Sequence, residues 1–433
     1  VNLTSAVENV TMSWTAAADP GIQGLINLSG TNTIPQETLT LGNEIEEPQL
    51  VVYTVLVSGS ISDCEGIPVD YTITVNPVAQ IDPVLNQEIC EGDNLVVEFT
   101  SPVLGGEISY LWTNDNINIG LDASGSGNLD FIAVNPSLES ITANISVTPV
   151  FTNGDDSNQG DPINFTITVN PEAQVEPVTS QVLCVGDTID EIEFTTINTD
   201  GTTTYTWTNN NPAIGLAASG PEDATATTIP SFVVTNDTDN ALVATIEVTP
   251  TYTNNEVICT GNPETFTITV NPLGQVNPVS SQELCAGDST DTITFETAND
   301  NGITTYAWTN DNPAIGLAAS GPEDATSTTI PSFVATNGTN TPITANISVT
   351  SFLTLNGFTC EGNTEDFTIT VNPSPQVDFS EDDQFITSGE SSLQVNLTSA
   401  VENVTMSWTA AADPGIQGLI NLSGTNTIPQ ETL

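Results

Sequence analysis

The sequence predicts an all-β chain of tandem β-sandwich domains in a linear rod, and three observations predict it. The first is repetition. Residues 1–39 recur letter for letter at 395–433, a period of 394 residues. Within it TITVNP ends at Pro77, Pro171, Pro272 and Pro373, at intervals of 94, 101 and 101 residues. A fixed period marks stacked structural units, and about 100 residues is one small domain. The frame gives domains at 78–171, 172–272 and 273–373. A fourth type is split, with its front half at 374–433 and its back part at 1–77. The chain therefore reads as a window on a longer array.

The second observation is alternation. In the last strand of one unit, Phe266, Ile268 and Val270 face one way and Thr267 and Thr269 the other. Phe165/Ile167/Val169 and Phe367/Ile369/Val371 repeat it, and the preceding strand alternates as Leu242/Ala244/Ile246/Val248 or Ile343/Ala345/Ile347/Val349. Period-2 patterning with one apolar face indicates antiparallel sheets packed on one side. Turn residues such as Thr199-Asp200-Gly201 and Asp300-Asn301-Gly302 separate the strands. Helical periodicity is missing. No apolar run reaches the 18 or so residues of a membrane span, Leu50–Val57 being among the longest.

The third observation is one tryptophan near the middle of each unit: Trp14, Trp112, Trp207, Trp308 and, in the repeated piece, Trp408. A lone Trp in the third strand, between short alternating strands, suits the core of an Ig-like sandwich.

Composition narrows function by exclusion. The chain has no Lys, Arg or His against 55 Asp and Glu, a formal net charge of −55. Without cationic side chains nothing neutralises phosphate, so nucleic acid and anionic membranes are poor partners. Ser–His and Cys–His nucleophiles, Lys Schiff bases, His metal ligands and Lys-dependent isopeptide crosslinks are absent. Carboxylate pairs remain and serve glycoside hydrolysis, but no pair is singled out among near-identical units. The expectation is therefore not an enzyme. Salt bridges cannot relieve the self-repulsion, which straightens a rod at low salt. Bound divalent cations or a salty habitat would.

The motifs Cys285-Ala286-Gly287-Asp288, Tyr306-Ala307-Trp308-Thr309, Asn312-Pro313-Ala314-Ile315-Gly316-Leu317 and Phe367-Thr368-Ile369-Thr370-Val371-Asn372-Pro373 recur from 78 to 373. They resemble the PKD-like and Ig-like repeats of giant cell-surface proteins of Bacteroidota, including gliding adhesins of the SprB type exported by the type IX system. The resemblance implies a bacterial cell-surface or extracellular filament role, with export signals elsewhere.

The six cysteines form two classes. Cys90, Cys184 and Cys285 come early, each just before a Gly-Asp; Cys64, Cys259 and Cys360 come late, before TITVNP. Domain 78–171 lacks the late one, with Asn158 in its place, and the split domain lacks the early one, with Ile386 or Thr387 there. An even count suits disulfides outside the cytoplasm. Two pairings are open. Bridges within domains would join Cys184 to Cys259 and Cys285 to Cys360, leaving Cys64 and Cys90 to meet across a linker. Ig topology instead puts the early cysteine at the C-terminal pole and the late one at the N-terminal pole, roughly 35 Å apart by strand rise. A disulfide needs Cα atoms within about 7 Å. Successive domains abut pole to pole, which favours Cys90–Cys259, Cys184–Cys360, and Cys285 with the next copy of Cys64. The two missing cysteines then face each other at one junction.

Two further kinds of site are expected. Asp93, Asp187 and Asp288 near Glu65 and Glu361 could hold Ca²⁺ at junctions. Thr188, Ser289 and Thr292 follow Asp in short motifs resembling a Bacteroidota O-glycosylation signal. The Asn-x-Ser/Thr triplets at Asn144 and Asn346 read as solvent-facing strand residues. The functional expectation is a structural extracellular filament or stalk assembled from its own repeats. The alternative is the repeat region of an adhesin that binds glycans or surfaces directly.

Overall fold

The structure is a computed structural model of the 433-residue chain and describes residues 1–42, 44–59, 65–220, 227–321 and 328–433. It is all-β, a succession of two-layered sandwiches. In residues 78–171 the larger sheet runs in the order Ser124–Ser126, Glu107–Asn114, Ile141–Asn153, Ile163–Asn170, Gln87–Cys90. The smaller layer pairs Asn94–Val97 with Leu129–Ile132. The same order recurs in 172–272, through Thr202–Asn209, Leu242–Asn254, Glu264–Asn271 and Gln181–Cys184. It recurs again in 273–373, through Ile303–Asn310, Ile343–Leu355, Phe358–Asn372 and Gln282–Cys285.

Alternation in the sequence becomes alternation of burial. Phe266, Ile268 and Val270 are buried, as are Ile246 opposite Phe266, Ala244 opposite Ile268, and Val248 further along the same strand. Each complete unit closes its own core, centred on Trp112, Trp207 or Trp308. A smaller core gathers around Trp14 and Tyr53 in the first unit. Helix is confined to single 3₁₀ turns among the described residues, such as Pro212–Ile214. There Pro212 pre-sets the first φ and Gly215, at φ +95°, closes the turn. No helix of the described residues is long and apolar enough to cross a membrane.

Two details of strand path position the site. Among the sheet pairings of each complete unit, the early strand against the last one is parallel, with Cys90 opposite Asn170, Cys184 opposite Asn271 and Cys285 opposite Asn372. The early cysteine therefore lies at the pole where the chain leaves the domain. The long penultimate strand, in contrast, continues into a hairpin at the other pole. There Cys259 lies opposite Tyr252 and Cys360 opposite Leu353. In the first complete unit the matching pair is Asn158 opposite Phe151.

Candidate functional site: the domain junctions

Three junctions share one non-covalent plan. Each last strand ends in Asn-Pro, and that asparagine meets another from the hairpin of the following unit. Asn153 donates its amide to Asn76 Oδ1 at 2.9 Å, Asn254 to Asn170 Oδ1 at 3.1 Å, and Asn356 to Asn271 Oδ1 at 3.0 Å. Asn170 and Asn271 are fully buried, so these bonds satisfy amides that would otherwise be costly to bury. Beyond the proline the linker lies flat on the hairpin. A Cβ on Gly160, Gly261 or Gly362 would strike the carbonyl of Ala79, Ala173 or Gly274 respectively. These glycines are there for close approach of two backbones.

Covalent bonds distinguish the junctions. Cys90 is joined to Cys259 and Cys184 to Cys360, each with a Cα–Cα distance of 5.5 Å. Both bonds run from the early turn of one unit to the hairpin of the next. Around the first, Ala173, Tyr252 and Cys259 form a small buried cluster that includes Cys90 and Val257. The Tyr252 hydroxyl donates to Asp200 Oδ1 at 2.8 Å and lies 3.0 Å from Ser140 Oγ. Ser140 N donates to the same carboxylate at 3.0 Å. Burial, and then the adjoining Asp200 carboxylate, push the Tyr252 phenol up to about 12. Phe151 and Leu353 occupy its position in the other hairpins and bring no hydroxyl. At the second stapled junction Asn271 also donates to Leu355 O at 2.8 Å, and Asn301 to Asn240 Oδ1 at 2.6 Å.

The junction between 1–77 and 78–171 has asparagine where the others have cystine. Asn158 donates to Pro77 O at 3.0 Å and accepts from Ala79 N at 2.9 Å. Asn76 donates to Asp156 Oδ2 at 2.9 Å, and Leu104 N donates to Glu46 O at 2.8 Å. Asn158 therefore ties down the linker backbone by hydrogen bonds alone.

The remaining candidate residues scatter. Cys285 is unpaired and exposed, and Cys64 lies outside the described residues. Asp187 turns back on its own loop, accepting from Cys184 N at 2.9 Å, and Asp288 does the same with Cys285 N at 3.4 Å. Asp93 is exposed and donates its own N–H to Cys90 O at 3.3 Å. Glu65 forms an isolated bridge with Ser58, and Glu361 is an exposed strand residue. No three acidic or sulfur side chains among the described residues converge as a cation site would require. Thr188, Ser289 and Thr292 are all exposed.

Asn144 and Asn346 are exposed strand residues. Asp115 binds the Asn144 side chain and backbone, both at 2.7 Å, and Asp311 binds Asn346 likewise. The asparagine side chain first, then its backbone N–H, holds each carboxyl below its usual range. In Thr387-Ser388-Gly389-Glu390, Glu390 accepts from Thr387 N at 3.0 Å, as Asp187 does from Cys184 N. Thr387 thus stands where the early cysteine would be. The Asn–Asn contacts and the glycines under the linker were not singled out from sequence. Their signal is recurrence: Gly160, Gly261 and Gly362 hold matching places in successive units, as do Asn153 and Asn254, with Asn356 one residue later in its hairpin.

A family profile described as a PKD-like domain matches residues 1–79. No curated protein matches the chain. Among solved structures it is similar to the human desmocollin-1 ectodomain, at 11% identity over 94% of this chain and 85% of that one, with a TM-score of 0.28. Repeats EC22–24 of mouse cadherin-23 give 14% identity, 69% and 99% coverage and a TM-score of 0.30. The N-terminal eight Ig domains of the Down syndrome cell adhesion molecule give 11%, 98% and 62%, and 0.24. At these scores the likenesses carry no argument. The chain is a tandem β-sandwich protein with a PKD-like unit at residues 1–79.

Proposed function

We propose that this chain is part of a structural extracellular filament or stalk and not an enzyme. Its product is length and stiffness, delivered by domains 78–171, 172–272 and 273–373 and by the split domain divided between 374–433 and 1–77. The observation that carries this reading is the pair of inter-unit disulfides, Cys90–Cys259 and Cys184–Cys360. A bond from pole to pole limits bending at a junction and transmits tension past it. Disulfides persist in oxidising surroundings, which supports a secreted location. The motif resemblance extends the proposal to the surface of Bacteroidota cells and to type IX export. The acidic surface, with no cation to balance it, keeps neighbouring filaments apart at low salt.

Electron microscopy of the native material tests the reading. The expected image is a smooth thread of beads roughly 40 Å long, and compact particles would overturn it. Glycan-array binding by the isolated repeats would shift the function to direct adhesion.

A further inference from the structure

Asn-Gly occurs four times in the chain, at Asn153, Asn301, Asn337 and Asn356. Three of these asparagines hold bonds between units. Asn153 donates to Asn76 and Asn356 to Asn271, while Asn301 donates to Asn240 across the same junction as Asn356. Asn301 and Asn356 are exposed and Asn153 is half-buried, so water reaches all three. A Cβ on Gly154 or Gly357 would meet nothing, so both hairpin tips are open. Asn337 differs. Its amide donates to Thr341 O and Val371 O, and its Oδ1 accepts from the Thr339 backbone N–H and hydroxyl, all inside one unit. The junction between 78–171 and 172–272 has no Asn-Gly: Asn254 precedes Asn255, and Asp200-Gly201 stands where the next unit has Asn301-Gly302.

We infer that Asn153, Asn301 and Asn356 are sites of spontaneous deamidation, a covalent clock that loosens two junctions with age and spares the one between them. The only co-reactant is water. The nitrogen of the following glycine, unshielded by a Cβ, attacks the asparagine Cγ. A bond from that nitrogen to Cγ forms, the Cγ–Nδ2 bond breaks, and ammonia leaves with the glycine's amide proton, closing a cyclic imide. Water then adds to one of the two ring carbonyls and a ring C–N bond breaks. The product is aspartate, or isoaspartate with the main chain rerouted through Cβ and Cγ.

The junctions cannot absorb this change. Asn271 commits its own amide to Leu355 O at 2.8 Å, and Asn76 commits its amide to Asp156 Oδ2 at 2.9 Å. Neither can turn round to greet a new carboxylate without losing that bond. An acid at 356 or 153 therefore sets a charged acceptor against an acceptor, at 356 beside the fully buried Asn271. Isoaspartate also lengthens the hairpin turn by one main-chain carbon. Each event adds a negative charge to a chain with no Lys, Arg or His to offset it. The spared junction shows the other solution: Asp200 already is the acid, and Ser140 N and the Tyr252 hydroxyl donate to it.

Ageing the 433-residue chain in mildly alkaline buffer tests this, read by mass spectrometry of peptides cut at acidic residues, since trypsin has no site. Aspartate and isoaspartate should accumulate at Asn153, Asn301 and Asn356, and faster as pH rises, because the attacking nitrogen must shed its proton. Asn337, locked by its own hydrogen bonds, should lag about tenfold or more, and Asn254 should lag with it. Exchange of the Asn271 side-chain amide, followed by NMR, should rise about fivefold in aged protein and at once in Asn356→Asp. That of Asn170, across the spared junction, should not move. A chain with both Asn301→Gln and Asn356→Gln keeps its amides, because the longer side chain closes a larger ring, and should age without the rise. Conversion at none of the three sites, or at Asn337 as fast as at Asn356, overturns the inference. So does conversion that leaves Asn271 exchange unchanged, or a rise that persists in the double glutamine variant.

Discussion

The junction below residue 78 and the two above it are built on one plan and differ in one bond. All three have the asparagine pair and the glycine beneath the linker carbonyl. Two have a disulfide, and the third has Asn158 hydrogen-bonded to Pro77 O and Ala79 N. The difference separates two jobs. Shape complementarity and hydrogen bonds set the angle between domains, and cystine makes that angle survive load. At the position of the early cysteine, residues 374–433 have Thr387. Of these three junctions, one is held without a covalent bond.

The largest effect expected from this comparison follows reduction. Each disulfide contributes about 2–4 kcal/mol, which in domains of this size lowers melting on the order of 10 °C. Calorimetry with and without reductant should show this loss for 172–272 and 273–373 and none for 1–77. Equal loss in all units would mean that the bonds do not act at the junctions where they sit.

Next in size is the close backbone approach. Gly160→Ala and Gly261→Ala each force a methyl into a linker carbonyl, an overpacking of about 1–3 kcal/mol. Where hydrogen bonds alone hold the linker it lifts away, and amide exchange at Ala79 should rise about tenfold or more. Where Cys90–Cys259 holds the hairpin, the strain stays inside and appears as lower melting. Identical responses at both sites would erase the distinction.

The smallest effect is electrostatic and belongs to one junction. Tyr252 has its phenol pushed up to about 12 against the ordinary 10. The folded state therefore keeps its proton when the unfolded chain has lost it. This contribution is whole below pH 10 and falls away as pH rises from about 10 to about 12. Burial also raises Tyr53, Tyr110, Tyr205 and Tyr306, so an alkaline absorbance titration should show several late tyrosines, with one late component, near pH 12, missing in Tyr252→Phe. A wild-type titration without it would remove the Tyr252–Asp200 contact from the account.

Much of the fold is legible because a β-sandwich writes its period into the chain. Phe266, Ile268 and Val270 face the core for the same reason that Thr267 and Thr269 do not, and a tryptophan marks each unit's centre. The poles follow from strand order, which favours cysteine pairing across junctions over pairing within a domain; the bonds themselves are seen only in the structure. Side-chain partners are harder. Asp187 and Asp288 carry no sign in a bare sequence of the backbone they cap, which a short turn brings to each carboxylate. Asn153, Asn254 and Asn356 read as ordinary turn residues until the facing Asn76, Asn170 and Asn271 are placed beside them by the next domain. The 39-residue duplication shows the limit most clearly. The same letters bury Trp14 and leave Trp408 half-exposed, because burial comes from neighbouring strands.

The central claim is that covalent bonds pass from one domain to the next. Peptide mapping of the unreduced chain addresses it directly. The account predicts one linked pair containing Cys90 and Cys259 and another containing Cys184 and Cys360. A peptide joining Cys184 to Cys259, both inside a single sandwich, would contradict it.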